Sequence, residues 1–166
     1  MGRGHLIRDA NFSDIPGIVS LLRDAYQKTH YARSGVASID EKETKRLLVQ
    51  AIQRHNGVNG GACFVQVSET DGQVRGLILG TMTRLYSIGN KLSATDLFWL
   101  ASPDVFPADP AQLMRNMVAW AERAPACVEV KCGTTAIMQD PEAAGMILNR
   151  MGFEPYGRIW RSEIER

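Results

Sequence analysis

Two carboxylates stand inside runs that otherwise read as buried strand. Asp96 falls near the start of Thr95-Asp96-Leu97-Phe98-Trp99-Leu100-Ala101-Ser102, and Glu129 alternates with Val128 and Val130. A charge on a central strand is unfavourable unless it is paired or lines a cleft, so each is a candidate to accept a proton from a substrate. The plain alternative for Asp96 is a solvated carboxylate opening a strand. The alternation turns Glu129 to the face opposite Val128 and Val130. His30 and Tyr31 lie in an aperiodic stretch, Lys28 to Ile39, where a surface loop is the simpler reading. Cys63, Cys127 and Cys132 form no C-x-x-C pair, and with three scattered His they make no zinc spacing, so no metal is expected. Two of them lie in or beside strand-like runs and read as small buried hydrophobes, and a reducing, cytoplasmic compartment is expected.

The balance of charge narrows the partners. The chain has 166 residues with 19 basic and 18 acidic side chains, which leaves no broad footprint for nucleic acid or an anionic membrane. No apolar stretch approaches bilayer length. The length suits one domain, residues 1–166, able to bury a core without disulfides.

The elements that must position these groups follow from periodicity and punctuation. His5 to Arg8 is a short strand. Ser13 caps a helix whose apolar positions are Ile15, Ile18, Val19, Leu22 and Tyr26, with Pro16 tolerated in its first turn. Asp40 caps a second helix to about His55, which Asn56-Gly57 and Asn59-Gly60-Gly61 end. Ala62 to Ser68 and Gln73 to Leu85 are strands joined by an Asp71-Gly72 turn, with Gly76 and Gly80 marking bulges. Ala94 to Ser102 is apolar on both faces from Leu97 to Ala101, hence central. Pro110 to Arg123 is a helix, Cys127 to Cys132 a strand, and Asp140 caps another helix. Phe153 to Ile164 is expected as a last strand. The order β-α-α-β-β-β-α-β-α-β contains an antiparallel hairpin and a βαβ crossover. A mixed central sheet with helices on both faces follows, an α/β fold.

The most specific stretch is Ala143-Ala144-Gly145-Met146-Ile147-Leu148-Asn149-Arg150-Met151-Gly152-Phe153. A short helix with Ala144, Ile147, Leu148 and Met151 on its buried face stops at Gly152, which suits the left-handed position that ends a helix. This run resembles the A-x-x-(L/I)-(Y)-x-(K/R)-x-G-F signature that closes the GNAT family, the acyl-CoA-dependent N-acetyltransferases. The element order resembles that family over essentially the whole chain.

The resemblance implies direct transfer of an acetyl group from acetyl-CoA to the primary amine of a small molecule or protein. It implies that the backbone of Trp99, Leu100 and Ala101 meets the pantetheine arm where central strands splay. The family's pyrophosphate loop, (Q/R)-x-x-G-x-(G/A), has no counterpart here. The chain reads Asp104-Val105-Phe106-Pro107-Ala108-Asp109-Pro110-Ala111-Gln112, without Gly or Arg. Asp109 reads as an N-cap, which would put a carboxylate where an anion should sit. Ala111 and the amides near Gln112 are then the cofactor contacts left. The family's Tyr proton donor falls on Leu148, and the Asn before it on Pro141. Tyr156 and Cys132 are the nearby substitutes, and Asp96, then Glu129, the expected base. A second reading is a catalytically inactive GNAT fold with a binding, regulatory or structural role, as in some bacteriophage-encoded relatives. The last strand, ending in Arg158-Ile159-Trp160, is the expected edge of a homodimer.

Overall fold

The computed structural model describes residues 4–133 and 140–165. Five strands form one sheet in sequence order: β1 (His5–Asp9), β2 (Cys63–Thr70), β3 (Gln73–Arg84), β4 (Leu92–Ala101) and β5 (Cys127–Lys131). The first four are antiparallel neighbours, and β4 and β5 are parallel. The helices are α1 (Ile15–Gln27), α2 (His30–Ser34), α3 (Glu41–Gln53), α4 (Asp109–Glu122) and α5 (Pro141–Arg150).

Two cores lie on the two faces of the sheet. α1 and α3 cover Val65, Val67, Leu77, Leu79 and Leu100, with Ile18, Leu22 and Leu48 as their own buried contribution. α4 and α5 cover Phe64, Ile78, Met82, Ala94 and Trp99 through Leu113, Met117, Trp120 and Leu148. The alternation of β2 and β3 sends neighbouring residues to opposite cores. Burying each large aliphatic side chain contributes roughly 1.5–3 kcal/mol.

Local chemistry sets most boundaries. Asp40 accepts from the Glu43 amide at 3.0 Å and Asp140 from the Ala143 amide at 2.9 Å, so both expected caps form. α5 ends in a Schellman turn. Gly152 takes φ +89°, its amide reaches the Asn149 carbonyl at 3.1 Å, and the Phe153 amide reaches that of Leu148 at 3.0 Å. At the start of α1 the cap is Asn11, not Ser13. Asn11 and Asp14 form a capping box around one 3₁₀ turn, and Ser13 lies inside it. The expected loop after α1 contains a turn of helix, α2, ended by Gly35 at φ +70°.

The expected last strand does not form. Residues 153–165 carry no strand, and Ile159 and Trp160 are more than four-fifths exposed. Pro155 has no N–H to give a ladder and Gly157 weakens any strand, so the segment loses pairing where it should begin.

Bulges fall beside both expected glycines. Opposite Ser68 and Glu69 the extra residue of β3 is Arg75, next to Gly76. Opposite Leu79 and Gly80 the extra residue of β4 is Leu97. Gly80 packs closely under α4: a Cβ there would stand 2.7 Å from the Met117 sulfur, so that side chain would have to shift.

Candidate active site

The parallel pair β4–β5 is short. It runs from Leu92 opposite Cys127 to Thr95 opposite Lys131 and stops. From Asp96 to Leu100, β4 continues with β3 on one side and no strand on the other among the described residues. Among the described residues the pairing ends at this point, and the backbone of β4 from Asp96 to Leu100 has no strand partner on its second side. The Leu97 bulge lies at the start of that edge, and a bulge is a means of re-aiming backbone beside a site.

Asp96 stands at the root of the splay. Its Oδ1 accepts from the Gly133 amide at 3.1 Å, and the Cys132 thiol donates to the same carboxylate. Burial pushes the Asp96 carboxyl above its ordinary range, while the Gly133 amide and the Cys132 thiol pull it back. Burial, then the Asp96 charge, push the Cys132 thiol well up. Cys132 therefore holds its proton for Asp96 and is a poor donor to a departing thiolate. Asp96 pairs with Gly80, whose missing Cβ would meet α4, so this carboxylate lies on the α4–α5 face.

Glu129 lies on the other face. Val130 and Cys132 pack with the α4–α5 core, and Glu129 and Lys131 alternate with them. The Lys131 ammonium is 3.3 Å from Glu129 Oε1. It also lies 5.2 Å from the ring centroid of Tyr86 and 5.6 Å from that of Tyr156, whose hydroxyls are 3.3 Å apart. The bond to Tyr86, together with the negative charge of Glu129, pushes the Tyr156 phenol up. The splay thus separates the expected acid–base residues: Asp96 and Cys132 on one face, Glu129 and Tyr156 on the other. His30 and Tyr31 stack on each other in α2, with ring centroids 3.9 Å apart.

Sequence reasoning missed Tyr86 and Lys131. Tyr86 and Ser87 both have left-handed backbone, at φ +50° and +65°, in the turn between β3 and β4. That conformation is uncommon outside glycine, and nothing in the residue types announces it.

The loop from Ser102 to Ala108 is tied down from several sides. Asp104 accepts from Ser102 and pairs with Arg75 at 3.2 Å. The His5 ring stacks on Phe106, with centroids 3.9 Å apart. Asp109 is not the cap of α4. It is the first residue of the helix, is 3 % exposed, and accepts from Ser68 Oγ at 2.6 Å, with His5 Nε2 at 3.7 Å. The helix end is consequently open: no side chain caps it. Pro110 has no N–H, the Asp109 amide is bonded to the Phe106 carbonyl, and the Gln112 amide to that of Ala108. Ala111 is left with the one free amide of this turn among the described residues. The Trp99 indole N–H reaches the Pro110 carbonyl at 2.9 Å, so its side chain anchors α4 to the central strand. Leu100 is buried under α1 and α3. What Trp99 and Leu100 could offer a ligand is backbone, whereas Ala101 is already engaged.

Two shallow depressions of about 460 and 610 Å³ lie elsewhere, lined by residues such as Arg54, Gly60, Arg84 and Asn90 but by no carboxylate, thiol or phenol. Among the described residues no His, Cys, Asp and Glu side chains gather as a metal site, and no helix is long and apolar enough to cross a membrane.

No protein-family model matches the sequence, and no curated protein matches it either. Solved structures do match. Glucosamine-6-phosphate N-acetyltransferase from Arabidopsis thaliana superposes with a TM-score of 0.70 at 10% identity, covering 98% of this chain and 99% of that one. A predicted acetyltransferase with acetyl-CoA from Clostridium acetobutylicum gives 0.68 at 13% identity, over 96% of each chain. The fold is that of the GNAT acetyltransferases. A transcriptional regulator from Bacillus halodurans also matches, at 0.67 and 15% identity, over 97% of this chain and all of that one. A GNAT fold at such identities establishes architecture, and the chemistry has to be argued from the splay and its side chains.

Proposed function

We propose that the protein is an acyl-CoA-dependent N-acetyltransferase that moves an acetyl group directly to a primary amine. The observation that carries this reading is the open edge of β4 from Asp96 to Leu100, beginning at a bulge where β5 stops. An extended pantetheine arm fits such an edge because its amides pair with strand backbone as another strand would. The thioester then lies at the root of the splay. The pyrophosphate lies toward α4, on the Ala111 amide and the positive end of the helix.

Placing the cofactor on the α4 face leaves the opposite face to the acceptor. Glu129 stands there and takes the proton of the incoming ammonium. The amine nitrogen attacks the thioester carbonyl, the carbon–sulfur bond breaks, and the second proton shed by the nitrogen reaches the thiolate by way of the Tyr156 phenol, which gives one proton and regains one. Asp96, held by Gly133 and Cys132, fixes the two strands at the root. Holding both reactants at the splay is itself a large part of such catalysis.

The pyrophosphate loop favours a second reading, a GNAT fold without catalysis that works by binding partners. A loop with two prolines and the acids Asp104 and Asp109, and a helix offering one free amide, is a weak phosphate site. On this reading the exposed Ile159, Trp160 and Ile164 serve assembly, for instance as a homodimer. Calorimetric titration with acetyl-CoA, and with CoA in parallel, separates the two. Micromolar binding supports the enzyme, and no binding at millimolar cofactor supports the scaffold.

A further inference from the structure

Lys131 is the last residue of β5, and its partner Thr95 is the last residue of β4 paired to that strand. Its side chain is rooted where the open edge begins. The ammonium is held by a set of groups suited to an amine: the faces of Tyr86 and Tyr156 at 5.2 and 5.6 Å, and the Glu129 carboxylate at 3.3 Å. Two aromatic faces and a carboxylate are ammonium-recognition chemistry. The other lysines, Lys28, Lys42, Lys45 and Lys91, are exposed on helices and loops, whereas the Lys131 side chain is 30% exposed.

We propose that Lys131 is itself an acyl acceptor, taking the acyl group of a thioester bound along the open edge of β4. This rests on the reading of the splay as an acyl-CoA site. Glu129 accepts one proton from the ammonium. The freed amine attacks the thioester carbonyl, an N–C bond forms, the C–S bond breaks, and the second proton shed by the nitrogen passes to the thiolate, which leaves as thiol. Ammonium plus acyl thioester give amide, thiol and one released proton. The product removes the positive charge from between Tyr86 and Tyr156 and leaves Glu129 without its ion-pair partner. It also places a neutral acyl-lysine where an external amine would enter.

The test is incubation of the full chain with acetyl-CoA, followed by peptide mass spectrometry, with calorimetry on the same sample. One acetyl group on Lys131 is expected, formed at a rate independent of protein concentration. It should precede modification of Lys28, Lys42, Lys45 and Lys91 by at least about tenfold, an intramolecular advantage that diffusional acylation lacks. Glu129→Gln should slow it about 10²-fold, the usual weight of a general base, with the circular dichroism spectrum unchanged. Lys131→Arg should leave only the slow background. Bound acetyl-CoA with Lys131 unmodified overturns this proposal and leaves the acyltransferase reading standing. Acetylation spread over the exposed lysines at rates proportional to reagent alone also overturns it. Absence of acetyl-CoA binding overturns both.

Discussion

Replacing Gly80 with Ala tests the link between α4 and the central strands. The added Cβ would stand 2.7 Å from the Met117 sulfur, 3.3 Å from its Cγ and 3.4 Å from its Cε. Met117 is fully buried between the sheet and α4, so its thioether has no solvent to swing into. Relief requires a different Met117 rotamer or a shift of the helix. Overpacking of this kind costs about 1–3 kcal/mol. In a domain of this size that lowers the melting temperature by roughly 2–12 °C. Thermal unfolding by circular dichroism reads the shift. Met117→Ala alone leaves a cavity and costs about 2–5 kcal/mol. In the double variant the new methyl enters that cavity, so the combined loss should fall short of the sum by at least about 1 kcal/mol. Additive losses, or a Gly80→Ala protein as stable as the parent, would refute the reasoning that Met117 seats α4 on a glycine.

Two further outcomes follow from the charges. The Arg8 guanidinium, at 2.7 and 2.8 Å, holds the Asp14 carboxyl below its unfolded value near 3.8. A depressed carboxylate stabilises the fold above its unfolded pKa and loses that contribution as pH falls through the folded one. The melting temperature should therefore drop below about pH 4, and Asp14→Asn should flatten that acid limb while lowering stability at neutral pH, both read by melting across a pH series. Asp96 carries the opposite sign. Its carboxyl is raised by burial, so its charge weakens the fold as pH rises through the shifted value. Asp96→Asn, which still accepts from Gly133 and Cys132, should melt at or above the parent temperature at pH 7, with the difference vanishing in acid. A lower melting temperature at pH 7 would show that the carboxylate stabilises the splay.

The parts of the fold readable in the sequence are those set by near neighbours in the chain. Gly152 and the Asp40 and Asp140 caps each need only residues within one helical turn, and all three form as expected. Asn11 in place of Ser13 is a choice between two good capping residues that local spacing does not decide. Asp109 misled because Asp-Pro-Ala-Gln is a sound helix start, yet its carboxylate is claimed by Ser68, far away in sequence on β2. The absent last strand has a local cause: Pro155 and Gly157 stand where pairing would begin. For the site, Asp96 and Glu129 were visible as charges on strands. Their placement on opposite faces of a splay, and the gathering of Tyr86, Tyr156 and Lys131, depend on where β5 stops and on two left-handed residues in a turn. Those are tertiary facts without a local signature.

The open edge of β4 is where an acyl-CoA would bind, and amide hydrogen exchange with and without acetyl-CoA interrogates it directly. The expected result is slowed exchange between Asp96 and Leu100 on adding cofactor, with little change at Leu77 to Leu79, whose amides the sheet already protects. Unchanged exchange along β4 at millimolar acetyl-CoA would contradict the claim that the splay is an acyl-CoA site.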